Sequence, residues 1–320
     1  MNNLIHTVEL YSNNLNKDKF KNPDLTIDGK VRATVSPTNL ETLWINTGTL
    51  CNLSCKNCYI ESTPTNDRLS FITISEVEKI LEEISTEQFL TKEIGFTGGE
   101  PFLNSDLIPM LYLSLQKGFR ALILTNAMRT MLSASKDLLD LKQQYPNHLK
   151  VRVSLDHYDE TLHTKERGER SWKPALQGLR WLSDNEFDFS VAGRTYWGES
   201  ESAMRAGYQT LFKKESINLN ANKTSHLVLF PEMDDSQDVP EVTSECWQIL
   251  GKQPNELMCS NTRMAVKRKE DTRVSIMACT LLPYDQRFNL GKTLKESLKP
   301  VSLNHPHCSK FCMLGGGSCS

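Results

Sequence analysis

Cys51, Cys55 and Cys58 fall within eight residues, spaced x3 and x2, in the stretch Thr49-Leu50-Cys51-Asn52-Leu53-Ser54-Cys55-Lys56-Asn57-Cys58-Tyr59. Thiols at this spacing let one loop wrap a single metal centre. Three thiolates on a four-iron cube leave the fourth iron without a protein ligand, which marks a reactive centre rather than a structural one. A zinc knuckle or a four-cysteine cluster would need a fourth ligand nearby. No Cys or His occurs between Tyr59 and His148.

The other six cysteines lie at 246, 259, 279, 308, 312 and 319, so the nine form two groups with no cysteine between Cys58 and Cys246. An odd count in a long chain does not read as a disulfide framework, and clustered thiols of this kind are more often metal ligands. Nineteen residues separate Cys259 from Cys279. Arg263-Met-Ala-Val-Lys267 and Arg273-Val-Ser-Ile-Met277 read as paired strands around a charged turn, which would bring these two cysteines together. Cys308 and Cys312 form an x3 pair, and Gly315-Gly316-Gly317 before Cys319 would let the chain fold closely against a cluster. Cys259, Cys279, Cys308 and Cys312 are the first choice of ligands, with Cys319 able to replace one. A zinc site is the alternative, with His305 and His307 as further ligands. Cys246, beside Trp247 and Ile249, reads as a buried thiol. The basic run Lys267-Arg268-Lys269 reads as a solvated turn, with contact to an anionic substrate as the other reading.

The elements that must hold these residues follow from apolar periodicity. Strands are expected at 42–47, 93–97, 120–125, 150–155, 187–194 and 226–230. Helices are expected at 73–89, 106–117, 132–144, 173–185 and 202–215. Thr73 with Glu76, or Ser75 with Glu78, offers a capping box. Gly118 and Pro146 stop two of the helices. Alternation of this kind implies parallel strands with right-handed crossovers and ligands beyond their C-terminal ends. Periodicity leaves open whether the sheet closes partly into a (β/α)6 TIM-like barrel or stays doubly wound. Residues 1–41 read as an extension, with Asp28-Gly29 as a hairpin turn. The acidic, turn-rich stretch after Phe230 sets a boundary between a core of 42–235 and a small cysteine-rich module of 240–320. That module is expected to need a metal centre to hold its fold.

The 320 residues carry a formal net charge of −2, with 38% hydrophobic and 24% charged residues. That balance fits a globular protein with a real core and gives no reason to expect a nucleic-acid partner. No apolar stretch is long enough to span a membrane. The opening twenty residues lack the features of a secretory signal, so a cytoplasmic location is expected.

CxxxCxxC at the end of a first strand, here Cys51, Cys55 and Cys58 with the aromatic Tyr59 following, resembles the signature of the radical S-adenosylmethionine (SAM) superfamily. Strand two ends in Thr97-Gly98-Gly99-Glu100-Pro101, which matches the family's GGEP motif. The resemblance covers residues 42 to about 235. It implies a SAM-binding 4Fe-4S cluster on the three cysteines and contact of Gly98, Gly99, Glu100 and Pro101 with the methionyl amino group. It carries over, more weakly, to Asn126 at the end of strand three and to Ser154 and Asp156, similar to a ribose-contacting S-x-D. Arg194 ends strand five and would pair with the SAM carboxylate, with Arg167 as its competitor. The later cysteines, with Asn289-Leu-Gly291, are similar to the SPASM or shorter twitch extension, which implies a second, auxiliary 4Fe-4S cluster. The available thiols suit one such cluster rather than two.

The family's chemistry is reductive cleavage of SAM to a 5′-deoxyadenosyl radical that takes a hydrogen atom from substrate. It implies an oxidoreductase or maturase acting on a peptide or small metabolite, with an electron donor such as flavodoxin or ferredoxin. Residues of catalysis proper are not named by the sequence. The alternatives are an RNA-modifying or methyl-transfer enzyme on the same barrel, and a non-catalytic metal-binding protein.

Overall fold

The computed structural model describes residues 18–232 and 238–317. In chain order the elements are β1 (Thr34–Val35), β2 (Thr42–Asn46), α1 (Ile74–Thr86), β3 (Glu93–Thr97), α2 (Leu107–Gln116), β4 (Arg120–Thr125), α3 (Arg129–Ser133), α4 (Ser135–Gln144) and β5 (Leu149–Ser154). Then come α5 (Glu160–Arg167), α6 (Trp172–Asp184), β6 (Asp188–Arg194), α7 (Glu201–Lys214) and β7 (Leu227–Phe230). The remainder holds α8 (Cys246–Leu250), β8 (Thr262–Val266), β9 (Ser275–Met277), β10 (Asn289–Gly291) and β11 (Val301–Ser302), and then a short π-helix, Cys308–Leu314.

Nine strands form one sheet in the order β10-β9-β8-β2-β3-β4-β5-β6-β7. The six strands β2 to β7 are parallel and sequential, as the alternating pattern requires. β7 and β10 are the two edges and do not pair, so the barrel is partial and open. Alternate strand residues face opposite ways. Leu43, Ile45, Ile94, Phe96, Ile123 and Val151 join the helices in one core. Trp44, Leu122, Met264 and Met277 turn to the inner face with the C-terminal segment. Both faces are therefore covered, which is why these strands are apolar throughout.

Several expectations change. The helix expected at 132–144 is two helices, α3 and α4, broken at Ala134. α5 is an additional helix with no apolar stripe in its sequence, and Asp159 caps it by accepting from the Leu162 amide at 3.1 Å. At α1, Thr73 and Glu76 form the box, with the Thr73 amide donating to Glu76 Oε2 at 3.0 Å. The turn at Asp28-Gly29 forms, with an antiparallel bridge between Leu25 and Val31.

The chain after 240 is continuous with the core sheet. β8 lies parallel to β2, pairing Thr42 with Thr262 and Trp44 with Met264. β8 and β9 are the expected hairpin, and Asn289 to Gly291 adds a third strand. The N-terminal segment is stitched to the same side. β1 pairs with β11, and buried Arg32 binds Glu241 at 2.5 Å and the carbonyls of Asn22, Leu25 and Leu303.

Candidate iron–sulfur and cofactor site

The loop after β2 is fixed by its neighbours before any ligand is considered. Thr47 donates twice to the Thr97 carbonyl, at 2.8 Å from its amide and 2.9 Å from its hydroxyl. The Cys51 amide donates to the Thr63 carbonyl at 3.0 Å, and the Lys56 amide to the Glu166 carbonyl at 2.8 Å. Cys51, Cys55 and Cys58 then line one cleft at the C-terminal ends of the strands, together with Gly98, Gly99, Asn126, Ser154, Asp156 and Arg194. The cleft and the open solvent at its mouth together span about 1140 Å³. Among the described residues no three His, Cys, Asp or Glu side chains converge as ligands of a single ion.

Burial pushes the Cys51 thiol up to about 12, against an amide hydrogen bond from Leu53 at 3.4 Å. Burial also raises Cys55, and the Arg167 guanidinium opposes it. Ser62 N–H donates to Cys58 Sγ at 3.3 Å. The raised Cys51 and Cys55 thiols must lose their protons to solvent to bind a metal, so metal loading would release protons.

The GGEP residues act differently from a simple ligand cradle. A Cβ at Gly99 would stand 2.1 Å from the Leu50 carbonyl oxygen, and one at Gly98 would stand 2.5 Å from that of Gly48. The glycines let strand β3 dock against the cysteine loop, with the Gly99 and Glu100 amides donating to the Gly48 and Leu50 carbonyls at 2.8 and 3.1 Å. Glu100 is buried and accepts from Thr125 Oγ1 at 2.7 Å and from the Asn126 amide at 2.9 Å. Burial pushes its carboxyl up to about 7 despite these donors. Gly98 and Gly99 line the cleft, whereas Glu100 and Pro101 are not among its lining residues.

Asp156 is buried and held in a fork by Arg167, with Nε and Nη2 each at 2.8 Å. Burial would raise its carboxyl, but the guanidinium overrides this and holds it below the usual range. Asn126 donates to Asn52 Oδ1 at 2.8 Å, which ties β4 to the cysteine loop. Arg194 donates to the Asn57 carbonyl at 2.8 Å, pairs with Glu232 at 2.6 Å and lies over the Tyr59 ring at 4.8 Å. Its Nε is buried with no partner among the described residues. The Asn57 amide donates to both oxygens of Glu166, at 3.0 and 2.9 Å. Glu166 and Glu232 carry no signal of their own in the sequence. Both belong to charged stretches whose partners lie far along the chain.

Among the later cysteines, buried Cys259 and Cys308 belong to one apolar cluster, and Cys246, Cys279 and Cys312 pack against it. Burial raises Cys259 to about 11 and Cys308 to about 12, with Cys259 adding to the shift on Cys308. Leu281 N–H donates to Cys279 Sγ at 3.4 Å, the same two-residue pattern as Leu53 on Cys51. Cys319 lies outside the described residues. His305 and His307 meet edge-on at 4.4 Å and line a second cavity that shares Asn57, Cys58, Tyr59 and Leu281 with the cleft. The basic run is engaged: Lys267 with Glu76, Lys269 with Asp67 and Arg268 with the Pro283 carbonyl.

Residues 45–202 match the family model described as the radical SAM superfamily. The antilisterial bacteriocin subtilosin biosynthesis protein AlbA of Bacillus subtilis (strain 168) is 31% identical over 143 residues, 44% of this chain and 30% of that protein. The Fe-coproporphyrin III synthase of Methanosarcina barkeri (strain Fusaro / DSM 804) is 32% identical over 130 residues, 40% of this chain and 30% of that protein. The match thus spans under a third of the length of these relatives. Among solved structures, native anSMEcpe with bound AdoMet aligns with a TM-score of 0.57 at 14% identity, covering 84% of this chain and 82% of that one. Streptococcus suis SuiB bound to S-adenosylmethionine aligns with a TM-score of 0.55 at 13% identity, covering 78% and 62%. At such identities the likeness is one of fold. With the three-thiol cleft at their centre, residues 45–202 match the radical SAM superfamily.

Proposed function

We propose that this chain is a radical SAM enzyme of the oxidoreductase or maturase type, acting on a peptide. Cys51, Cys55 and Cys58 would hold the 4Fe-4S cluster, and SAM would lie in the cleft they share with Gly98, Gly99, Asn126, Ser154 and Asp156. Bound there, cluster and SAM would supply a 5′-deoxyadenosyl radical able to take a hydrogen atom from substrate. The observation that carries this reading is the opening of all three thiols into one cleft with a buried guanidinium. The unpartnered Nε of Arg194 suits a carboxylate, because its other nitrogens are already fixed by Asn57 and Glu232. The Arg167 fork keeps Asp156 ionised, as an acceptor for hydroxyls. Tyr59, stacked under Arg194, covers that side of the site and helps exclude water.

Cys259, Cys279, Cys308 and Cys312 would hold a second 4Fe-4S cluster. Its support is the shared apolar cluster and the amide hydrogen bond common to Cys279 and Cys51. The peptide substrate is supported by a relative named for bacteriocin biosynthesis and by a fold neighbour titled with a bound peptide. A one-electron donor of the flavodoxin or ferredoxin class would serve it.

Anaerobic reconstitution with iron, sulfide, SAM and dithionite tests the reading. The expected result is 5′-deoxyadenosine from wild type and none from Cys51→Ala. Equal behaviour of the two sinks it. About eight irons per chain supports two clusters, and about four irons with one zinc replaces the second cluster by zinc.

A further inference from the structure

One buried carboxylate reaches the loop between two of the three thiols. Cys55 and Cys58 are separated by Lys56 and Asn57 alone, and the last turn of α5 grips both of these residues. The Glu166 carbonyl accepts from the Lys56 amide at 2.8 Å. The Glu166 carboxylate accepts from the Asn57 side-chain amide at 3.0 and 2.9 Å. α5 stops at Arg167, before Gly168 at φ +92°, so the Glu166 carbonyl is one of those a helix C-terminus leaves without an intrahelical partner. The cysteine loop supplies one.

Glu166 is 4% exposed. The buried residues of α5 are His163 and Glu166, with no apolar side chain among them. A buried carboxylate costs stability unless its oxygens are paired, and here Asn57 pairs both. Arg194 Nη1 lies further off, 3.9 Å from Oε2, and donates to the Asn57 carbonyl at 2.8 Å. Asn57 is thus held at its side chain by Glu166 and at its carbonyl by Arg194. The interval from Cys51 to Cys55 is tied by a neutral bond instead, with Asn52 Oδ1 accepting from Asn126 at 2.8 Å.

We propose that Glu166 is a positioning residue for the iron–sulfur cluster: by gripping the two residues between Cys55 and Cys58 it fixes the spacing of those thiols. The working unit is the carboxylate at 166 against the amide at 57. A ligand set held in place beforehand loses less freedom when it binds, and groups that orient metal ligands contribute to metal affinity without touching the metal. The inference rests on Cys51, Cys55 and Cys58 holding the cluster, as proposed above.

The test uses full-length protein, reconstituted anaerobically with iron and sulfide, and follows iron release to excess chelator. Cys51→Ala marks the iron that belongs to this cluster. Glu166→Gln keeps the side-chain shape and the helix carbonyl but removes the charge and one acceptor oxygen. It is expected to release that iron about tenfold faster. Asn57→Asp sets two carboxylates face to face and should release it faster still. Combining the two substitutions reverses donor and acceptor, and should return release to within about threefold of wild type. Amide exchange in residues 54–58 should rank the four chains in the same order. Unchanged release in Glu166→Gln overturns the proposal. So does a double variant that releases iron as fast as Asn57→Asp, the result that independent roles for the two residues predict. If Asn57→Asp does not fold, Glu166→Gln decides alone. If Cys51→Ala holds as much iron as wild type, the cluster assignment fails and this inference falls with it. If Cys51→Ala loses iron while Glu166→Gln behaves as wild type, only this inference fails.

Discussion

At the scale of single residues, the site is held by buried charges that answer one another. Asp156 and Arg167 are 3% and 15% exposed at their side chains and share two hydrogen bonds. Removing the guanidinium alone leaves a buried carboxylate. Arg167→Ala is therefore expected to cost about 3–5 kcal/mol, read from denaturant unfolding, and adding Asp156→Asn should recover part of it. A double variant no better than the single one would show that the pair is not coupled. His163 is the opposite case. It is fully buried, edge-on to Trp172 at 5.3 Å, and neither ring nitrogen has a partner among the described residues. Burial, then the nearby Arg167 charge, pushes it down to about 3, with Asp156 opposing and His157 adding to the shift. The folded state therefore keeps it neutral, while the unfolded chain protonates near 6.5. The unfolded state binds the extra proton, so this contribution is complete above pH 6.5 and is lost as pH falls toward 3. The slope is at most about 1.4 kcal/mol per pH unit. His163→Phe should flatten acid unfolding over that window, as read by circular dichroism. An unchanged acid profile would contradict it.

At the scale of elements, one tyrosine joins the two cysteine regions. Tyr284 follows the Cys279 turn, donates to the Ile60 carbonyl at 2.8 Å, accepts from Asn66 at 3.3 Å and lies under Arg68 at 3.7 Å. Tyr284→Phe keeps the ring and removes the hydroxyl. It should cost about 1 kcal/mol and speed amide exchange in residues 60–66, the segment just beyond Cys58, while β3 to β5 stay protected. Uniform exchange changes would point to global loosening instead. The strands around this joint are legible in the sequence because buried parallel strands write themselves as apolar runs. α5 is not, since a short polar helix capped by Asp159 has no stripe to read. The thiols and glycines of the site announce themselves by local spacing. Glu166, Glu232, Trp44 and Phe311 do not, because each matters through a partner distant in sequence. The same limit applies to what the glycines do. Gly98 and Gly99 carry a motif, but only the fold puts the Cys51 loop against them.

At the scale of the molecule, sequence texture suggests a core of 42–235 followed by a separate cysteine-rich module, whereas the sheet runs through that boundary. β8 covers the edge of β2 with four parallel residue pairs, from Thr42–Thr262 to Ile45–Ala265. The inner-face cluster holds Trp44 and Leu122 together with Met258, Met277 and Phe311. The N-terminal segment belongs to the same body through Arg32, which binds Glu241 and the Leu303 carbonyl. A fragment of residues 42–235 would thus present an unpaired apolar strand edge and an uncovered inner face. Such an edge is a template for association, and an apolar face of that extent favours aggregation. The fragment, expressed alone and refolded anaerobically with iron and sulfide, is expected to aggregate or to melt without a cooperative transition. The chain from 18 to 317 should melt as one unit. A soluble 42–235 fragment that unfolds cooperatively and binds about four irons would show instead that the C-terminal strands are an appended module. Metal chelation adds a second arm. Because β8 to β10 are built into the sheet by backbone pairing, stripping metal from the intact chain should lower its melting temperature without releasing these strands. Selective loss of protection in 262–291 on chelation would show that they depend on the metal centre.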